Sequence, residues 1–213
     1  MVLNKFREAA QNLIDGPVDF FVRHNFSPNL LSLIGFLLSV SAAIFLAFDF
    51  LHYPLYITWP PALLLFLSGA FDVFDGGVAR KTNSVSQFGA FLDSNIDRLS
   101  DAVVYLGLIY GEYITYFEGY ICFFLSLMIS YVRSRAENEG VKMHGVGFME
   151  RAERVLFIFF ALILEVWIYF FTLDQNRTFF FIFIWCFIAL LIITFLQRII
   201  FAYKELKKVE TPE

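Results

Sequence analysis

The chain has 213 residues, of which 59% are hydrophobic and 29 are Phe, and its mean hydropathy is +0.66. Soluble domains of this size are roughly 45–50% apolar, so the composition excludes an ordinary soluble protein and indicates a lipid environment. The net charge is −4. We expect membrane lipids, and no nucleic acid, as partners.

The N-terminal segment, residues 1–25, lacks the apolar core of a signal peptide. Its apolar residues recur at helical spacing, as Leu3, Phe6, Leu13 and Val18 illustrate. This pattern is typical of an amphipathic helix that lies in the membrane interface. We therefore predict an interfacial helix over 1–25.

Six further segments are apolar enough to cross a bilayer, which takes about 20 residues per helix. Three of them have the full length, although the prolines of the second predict that its helix begins near the pair Pro60 and Pro61. The other three are charged near one end. In chain order the segments are Leu30–Phe48, Phe50–Phe71, 86–112, 117–136, 150–172 and Thr178–Gln197. The prediction is an all-α integral membrane protein, a single domain over 1–213 with a six-helix bundle at 28–205 and a tail at 206–213.

Lys and Arg indicate which side of the membrane each loop faces, because cytoplasmic loops carry an excess of them. Both termini and the second and fourth connections of the chain are basic, whereas the opposite loops contain only Arg177. We therefore expect a multi-pass protein of the cell membrane with both termini in the cytoplasm.

Carboxylates are costly inside a membrane span, at about 2.5–3.5 kcal/mol each on insertion scales, and they usually mark a functional site. Here Asp72 and Asp75 end the second span, while Asp93, Asp97 and Asp101 form one stripe of the third. A short basic hairpin, Ala79–Phe88, should bring the two rows together. Such a cluster favours hard divalent cations with oxygen ligands. A cation or proton pathway in a transporter, or ordinary ion pairs between helices, would also explain it.

The spacing of these acids resembles a known signature. The pattern Asp72-x2-Asp75-Gly76-x2-Ala79-Arg80-x8-Gly89-x3-Asp93-x3-Asp97 matches every position of the motif of the CDP-alcohol phosphotransferase family. The resemblance also includes the six spans, the N-terminal interfacial helix and the Pro28-Asn29 step before the first span. It therefore covers nearly the whole chain.

The resemblance implies roles for these residues. Asp72, Asp75, Asp93 and Asp97 would hold two Mg²⁺ ions, which Mn²⁺ can replace, and Asp97 would also be the general base. A CDP-lipid would be bound by one group of residues: Asp72, Gly76, Ala79, Arg80, Gly89 and Asn29. For Gly76 and Gly89, simple helix packing is an alternative. By analogy with the family we also expect a homodimer.

The acceptor alcohol has to be inferred from a second basic region, where arginines lie at the junction of the fourth and fifth spans. Guanidinium groups suit phosphate oxygens, so we expect a phosphorylated acceptor bound by Arg133, Arg135, Arg151, Arg154 and Lys142. This region resembles the inositol-phosphate branch of the family. Glycerol 3-phosphate is the alternative acceptor, and the arginines could instead only reflect sidedness and meet lipid headgroups. Asp101 is expected to partner Arg98.

Overall fold

The computed structural model describes residues 14–55, 58–173 and 177–210, and within these ranges the chain is helical, without strands. The described part of the first helix, α1, covers 14–23. A 3₁₀ turn at Phe50–His52 follows the second helix. The remaining helices are α2 (Pro28–Ala47), α3 (Pro60–Lys81), α4 (Gln87–Tyr110), α5 (Tyr116–Asn138), α6 (Arg151–Thr172) and α7 (Thr178–Glu210).

The helix starts follow the local signals in the sequence. Ser27 caps α2 and Pro28 is its first residue, while α3 begins at the proline pair, as predicted. However, α3 continues past Phe71 to Lys81, so Asp72 and Asp75 lie inside it. The predicted hairpin Ala79–Phe88 is correspondingly shorter, because α4 already starts after the cap residue Ser86.

Among the described residues, four helices are long and apolar enough to cross a membrane, namely α2, α3, α6 and α7 up to Lys208. This confirms a helical membrane protein. Helices α4 and α5 occupy the other two predicted spans but are not among these four. Six spans therefore remain a prediction.

Helix α2 is the support on which α3 and α4 pack closely. A Cβ atom on Gly107 of α4 would lie only 2.6 Å from the carbonyl oxygen of Ala43, and one on Gly35 of α2 would lie 3.3 Å from that of Ser68 in α3. Close backbone approach at small residues is the usual way in which membrane helices associate. Because α3 and α4 share this support, the acids that they carry are brought together.

Helix α1 packs on the same unit. Val18 is buried against Leu31 of α2 and Val78 of α3, and a Cβ atom on Gly77 would meet a methyl group of Val18 at 2.7 Å. Lys81 at the end of α3 forms ion pairs with two acids of α1. The described residues 14–23 are thus helical, as predicted, while residues 1–13 of the predicted interfacial helix lie outside the described ranges.

A polar network joins several connections at the end of the bundle opposite the aspartates. His52 contacts Asp49 through Nδ1 at 2.9 Å and the buried Glu165 of α6 through Nε2 at 3.1 Å. Asp49 also accepts a hydrogen bond from Tyr113 at 2.5 Å and pairs with Arg177 at 3.0 Å. The network ties α6 to the turn after α2 and to the loops before α5 and α7.

We predict that His52→Gln destabilises the protein more at low pH than at high pH. Burial opposes the charging of His52, but its hydrogen bonds with Asp49 and Glu165 outweigh that effect and raise the pKa of His52. The stabilisation from protonated His52 is therefore complete below its ordinary pKa of about 6.5 and is lost as the pH rises through the raised value. A charged hydrogen bond contributes about 1.5–3 kcal/mol.

The measurement is thermal unfolding in detergent from acid to alkaline pH, with His24→Gln as the control, since His24 is exposed. The gap between the melting temperatures of the parent protein and His52→Gln should shrink as the pH rises. A gap that stays constant would contradict the prediction.

Candidate active site

The aspartates of the sequence motif meet between α3 and α4. One carboxylate oxygen from each of Asp72, Asp75 and Asp93 lies within 4.8 Å of the other two. Asp72 and Asp75 share a face of α3 because they are three residues apart, and Asp93 faces them from the first half of α4. The predicted convergence of the two rows is therefore present.

This cluster suits a hard divalent cation. Its three ligand groups are all carboxylates, the chemistry that Mg²⁺ and Mn²⁺ prefer. Asp75 is only 6% exposed, and a buried carboxylate among like charges needs positive charge nearby. Ser32 of α2 also donates a hydrogen bond to Asp75 at 2.5 Å. The residues present thus fit the predicted metal centre.

Asp97, one turn further along α4, is linked to the cluster through Arg151. The Nη1 atom of Arg151 lies 2.5 Å from an oxygen of Asp72 and 2.8 Å from Oδ1 of Asp97. That oxygen of Asp97 is buried and has no aligned hydrogen-bond donor among the described residues. Its one charged contact among the described residues is therefore the ion pair with Arg151.

A groove of about 580 Å³ opens on one side of the aspartates. Five of the residues predicted to bind a CDP-lipid line this groove: Asn29, Gly76, Ala79, Arg80 and Gly89. A Cβ atom on Gly89 would come within 3.0 Å of the Ser86 hydroxyl and 3.5 Å of the Asn29 side chain. The absence of a side chain there keeps the floor of the groove open.

A larger cavity of about 970 Å³ opens on the other side, between α4, α5 and α6. Asp93 and Asp97 both face it, and the two cavities share Ala90 and Asp93 as lining residues. The carboxylates therefore separate two adjoining spaces, each of a size that could hold a substrate.

The predicted acceptor residues divide into two groups. Arg133, Arg151 and Arg154 line the larger cavity. Arg135 points elsewhere and pairs with Glu139 on its own helix, and Lys142 is exposed on the following loop. The latter two are not among the residues that line the cavity.

Asp101 has a different partner from the one predicted. It accepts a hydrogen bond from Arg154 of α6 at 2.7 Å, while Arg98 donates to the carbonyl oxygen of Ser94 on its own helix. The prediction that Asp101 pairs with Arg98 was wrong. The prediction assumed that Asp101 would pair with Arg98, which lies three residues away on the same helix. The packing of α6 against α4 instead brings Arg154 to Asp101.

Two residues near the site were missed by the sequence analysis. The first is Ser32, which donates a hydrogen bond to Asp75. Its position one turn after the start of α2, close to the Pro28-Asn29 step, could have indicated that it lies near the site. Arg198 lines the larger cavity although it was assigned only to the basic region after the last span. It is followed by Ile199, Ile200 and Phe201, and this apolar continuation shows that Arg198 lies within α7 and not beyond it.

Arg198 organises the loop between α5 and α6. It is 3% exposed and donates to the carbonyl oxygens of Val146 at 2.8 Å and Ile129 at 2.9 Å, and it reaches Glu150 at 3.4 Å. Gly147 passes so close that a Cβ atom would lie 3.2 Å from Nε of Arg198. Arg198 thereby fixes the segment that leads into Arg151.

Comparison with known proteins places this geometry in a family. The family model described as CDP-alcohol phosphatidyltransferase matches residues 25–204. The chain belongs to the CDP-alcohol phosphatidyltransferase family. It is therefore a membrane transferase of phospholipid synthesis, and the transporter alternative was wrong.

The chain resembles known proteins in both sequence and fold. The chain is 39% identical over 157 residues to archaetidylinositol phosphate synthase of Methanothermobacter thermautotrophicus, and the aligned region covers 74% of this chain and 75% of that protein. A crystal structure of Mycobacterium tuberculosis phosphatidylinositol phosphate synthase with CDP-DAG bound has a TM-score of 0.73 at 25% identity, covering 90% of this chain and 94% of the other. A second structure of that enzyme, in complex with manganese and citrate, has a TM-score of 0.72 at 25% identity, covering 89% and 88%.

Proposed function

We propose that this enzyme transfers the phosphatidyl-type group of a CDP-lipid, with diacylglycerol or archaeol tails, to inositol phosphate and releases CMP, in a Mg²⁺-dependent reaction. The observation that carries the proposal is the pair of cavities that adjoin at Ala90 and Asp93. A transfer between two substrates needs a donor and an acceptor on either side of the reacting groups. The groove near Gly76 would hold the donor, and the larger cavity the acceptor.

The relatives support both substrates. One solved relative carries CDP-DAG, and the relatives are synthases of inositol-phosphate lipids. The same solved relative also binds manganese, in keeping with the carboxylate cluster of this chain.

The four motif aspartates, Asp72, Asp75, Asp93 and Asp97, would hold the metal. When bound, two divalent ions would neutralise the carboxylates and stabilise negative charge on the phosphate oxygens. Ser32 keeps the carboxylate of Asp75 oriented. Groove residues Asn29, Arg80 and Ser86 offer polar groups to the donor.

Asp97 serves as the general base. The acceptor hydroxyl attacks the β-phosphorus of the CDP-lipid and forms a new P–O bond, while the P–O bond to CMP breaks. The hydroxyl proton passes to a carboxylate oxygen of Asp97, which faces the larger cavity. CMP leaves with the bonding electron pair.

The acceptor phosphate would be read by the arginines of the larger cavity, Arg133, Arg151 and Arg154. Several guanidinium groups around a cavity favour an anionic ligand over a neutral polyol. Arg135 and Lys142 lie outside this cavity and are not assigned to the acceptor.

We further propose that all of α2 to α7 cross the membrane, that α1 lies in its interface, and that the protein forms a homodimer. Both termini and the active site would face the cytoplasm. The basic residues at the aspartate end of the bundle, such as Arg80, Arg133 and Lys142, support this orientation, whereas the opposite loops contribute only Arg177.

We expect Asp→Asn at position 72, 75, 93 or 97 to abolish transfer while the protein still folds in the membrane, because Asn retains the shape but loses the charge that holds a metal. The measurement is CMP release from CDP-lipid in detergent. The control is Asp19→Asn, since Asp19 is half exposed on α1 and pairs with Lys81. Substantial turnover in a site variant, or full activity in excess chelator, would disprove the metal assignment.

Arg133→Ala should raise the KM for inositol phosphate or lower kcat/KM roughly ten- to a hundredfold, since a charge-assisted contact contributes about 1.5–3 kcal/mol. The KM for CDP-lipid should change far less. Arg135→Ala is the matched control, because it lies two residues away on the same helix but outside the cavity. Arg133→Lys should rescue only partly.

A panel of acceptors tests the same assignment. Radiolabel transfer should be fastest to inositol phosphate, slower to glycerol 3-phosphate and slowest to free inositol. Free inositol or serine reacting as well as inositol phosphate would refute the role of the arginines.

The orientation can be tested with single cysteines after Cys122 and Cys186 are replaced. An impermeant thiol reagent added to intact cells should label Tyr116→Cys, at the end of the bundle opposite the aspartates, and not Ser84→Cys, between α3 and α4. Both parent positions are exposed. The reverse labelling pattern would reverse the assignment.

A further inference from the structure

Arg151 contacts the very carboxylates that the proposed function gives to metal ions. Its Nη1 atom is 2.5 Å from Asp72 and 2.8 Å from Asp97. A divalent ion on these oxygens would place two further positive charges next to the guanidinium group, which is only 15% exposed and poorly screened. Arg151 and a metal ion are therefore competitors for the same negative charge.

The contact has the features of one that can be exchanged. A single nitrogen of Arg151 serves both carboxylates, so the two-nitrogen fork of a strong arginine–carboxylate pair is not formed. Its Nε is buried and has no hydrogen-bond partner among the described residues. Nε of Arg154 is also without a hydrogen-bond partner among the described residues, but Arg154 pairs with Asp101, away from the metal cluster. Nε, Nη1 and Nη2 of Arg198, in contrast, all have acceptors.

The alternative place for this side chain is the larger cavity. Arg151 is the first residue of α6 and already forms part of the cavity wall, together with Arg133 and Arg154. Rotation about its own side-chain bonds can turn the guanidinium group from the aspartates to the cavity, where an anion would satisfy the unpartnered Nε.

We infer that Arg151 exchanges between Asp72 and Asp97 on one side and the acceptor phosphate on the other, and that divalent metal binding drives the exchange. This inference rests on the proposed function. Its consequence is an order of binding: the anion site for the acceptor is complete only after the metal ions have released Arg151. An acceptor would thus meet a competent site only where the donor phosphates can also be activated.

Competition between Arg151 and a metal ion predicts the direction in which metal affinity should change when Arg151 is replaced. If Arg151 must leave the carboxylates before metal binds, removing its charge should tighten metal binding, and coupling between such sites typically amounts to about 5- to 150-fold. A general effect of charge would act similarly from a neighbouring position. Arg154 is the matched control, because it lies one turn along α6, is also buried, and pairs with Asp101, outside the metal cluster.

The experiment is a titration of the full-length protein in detergent with Mn²⁺, in which free Mn²⁺ is followed by electron paramagnetic resonance. Arg151→Gln should bind Mn²⁺ about 5- to 150-fold more tightly than the parent protein, and Arg154→Gln should change the affinity much less. Unchanged or weaker binding by Arg151→Gln, or an equal gain in Arg154→Gln, would overturn the inference while leaving the proposed function intact. If the parent protein did not bind Mn²⁺ at all, both the inference and the proposed metal-dependent function would be contradicted.

A second measurement needs no variant and so stays decisive if Arg151→Gln fails to fold. Phenylglyoxal modifies accessible arginines, and peptide mass spectrometry can follow each one in the parent protein. Saturating Mn²⁺ should increase modification of Arg151 relative to Arg154. No change, or protection of Arg151 by Mn²⁺, would contradict the exchange.

Discussion

The concentration of negative charge between α3 and α4 is the constraint on which the rest of the site depends. Three carboxylates within 4.8 Å of one another, one of them buried, do not all remain ionised without positive charge nearby. The structure answers this in two ways: Ser32 donates a hydrogen bond to Asp75, and Arg151 contacts Asp72 and the neighbouring Asp97. The remaining charge suits the cluster to a divalent cation, which ordinary ion pairs between helices would not need.

The close approach of α2 to its neighbours makes this concentration possible. Gly107 allows a backbone contact between α4 and α2 that a Cβ atom would obstruct, and Gly35 allows a close contact between α2 and α3 that a Cβ atom would make tight. The short connection 82–86 also holds the end of α3 next to the start of α4, and the acids near these two ends meet. A larger residue at Gly107 would therefore act on the site from well along the helix, by moving α4 with its carboxylates.

Features encoded locally could be predicted from the sequence, whereas those set by tertiary contacts could not. The starts of α2 and α3 follow from Ser27, Pro28 and the pair at Pro60, because caps and prolines act within one turn. The aspartates could be placed together because they occupy one face of each helix on either side of a short connection. The Asp101–Arg154 pair and the role of Arg198 depend on how α6 and α7 pack, which the periodicity of one helix does not specify. The count of basic residues used to assign membrane sidedness did not reveal the structural role of Arg198, because such a count treats a buried arginine and an exposed one alike.

Helix α6 is held at both ends by polar contacts, and this explains how one of its side chains can move while the helix does not. At the start, Arg154 pairs with Asp101; near the other end, the buried Glu165 meets His52. Ile158 and Leu162 fill the buried face between them. Both of these anchors are made by residues of α6 other than Arg151. If Arg151 exchanges as inferred above, the cost of burying its charge is shared between the aspartates and whichever anion enters the larger cavity.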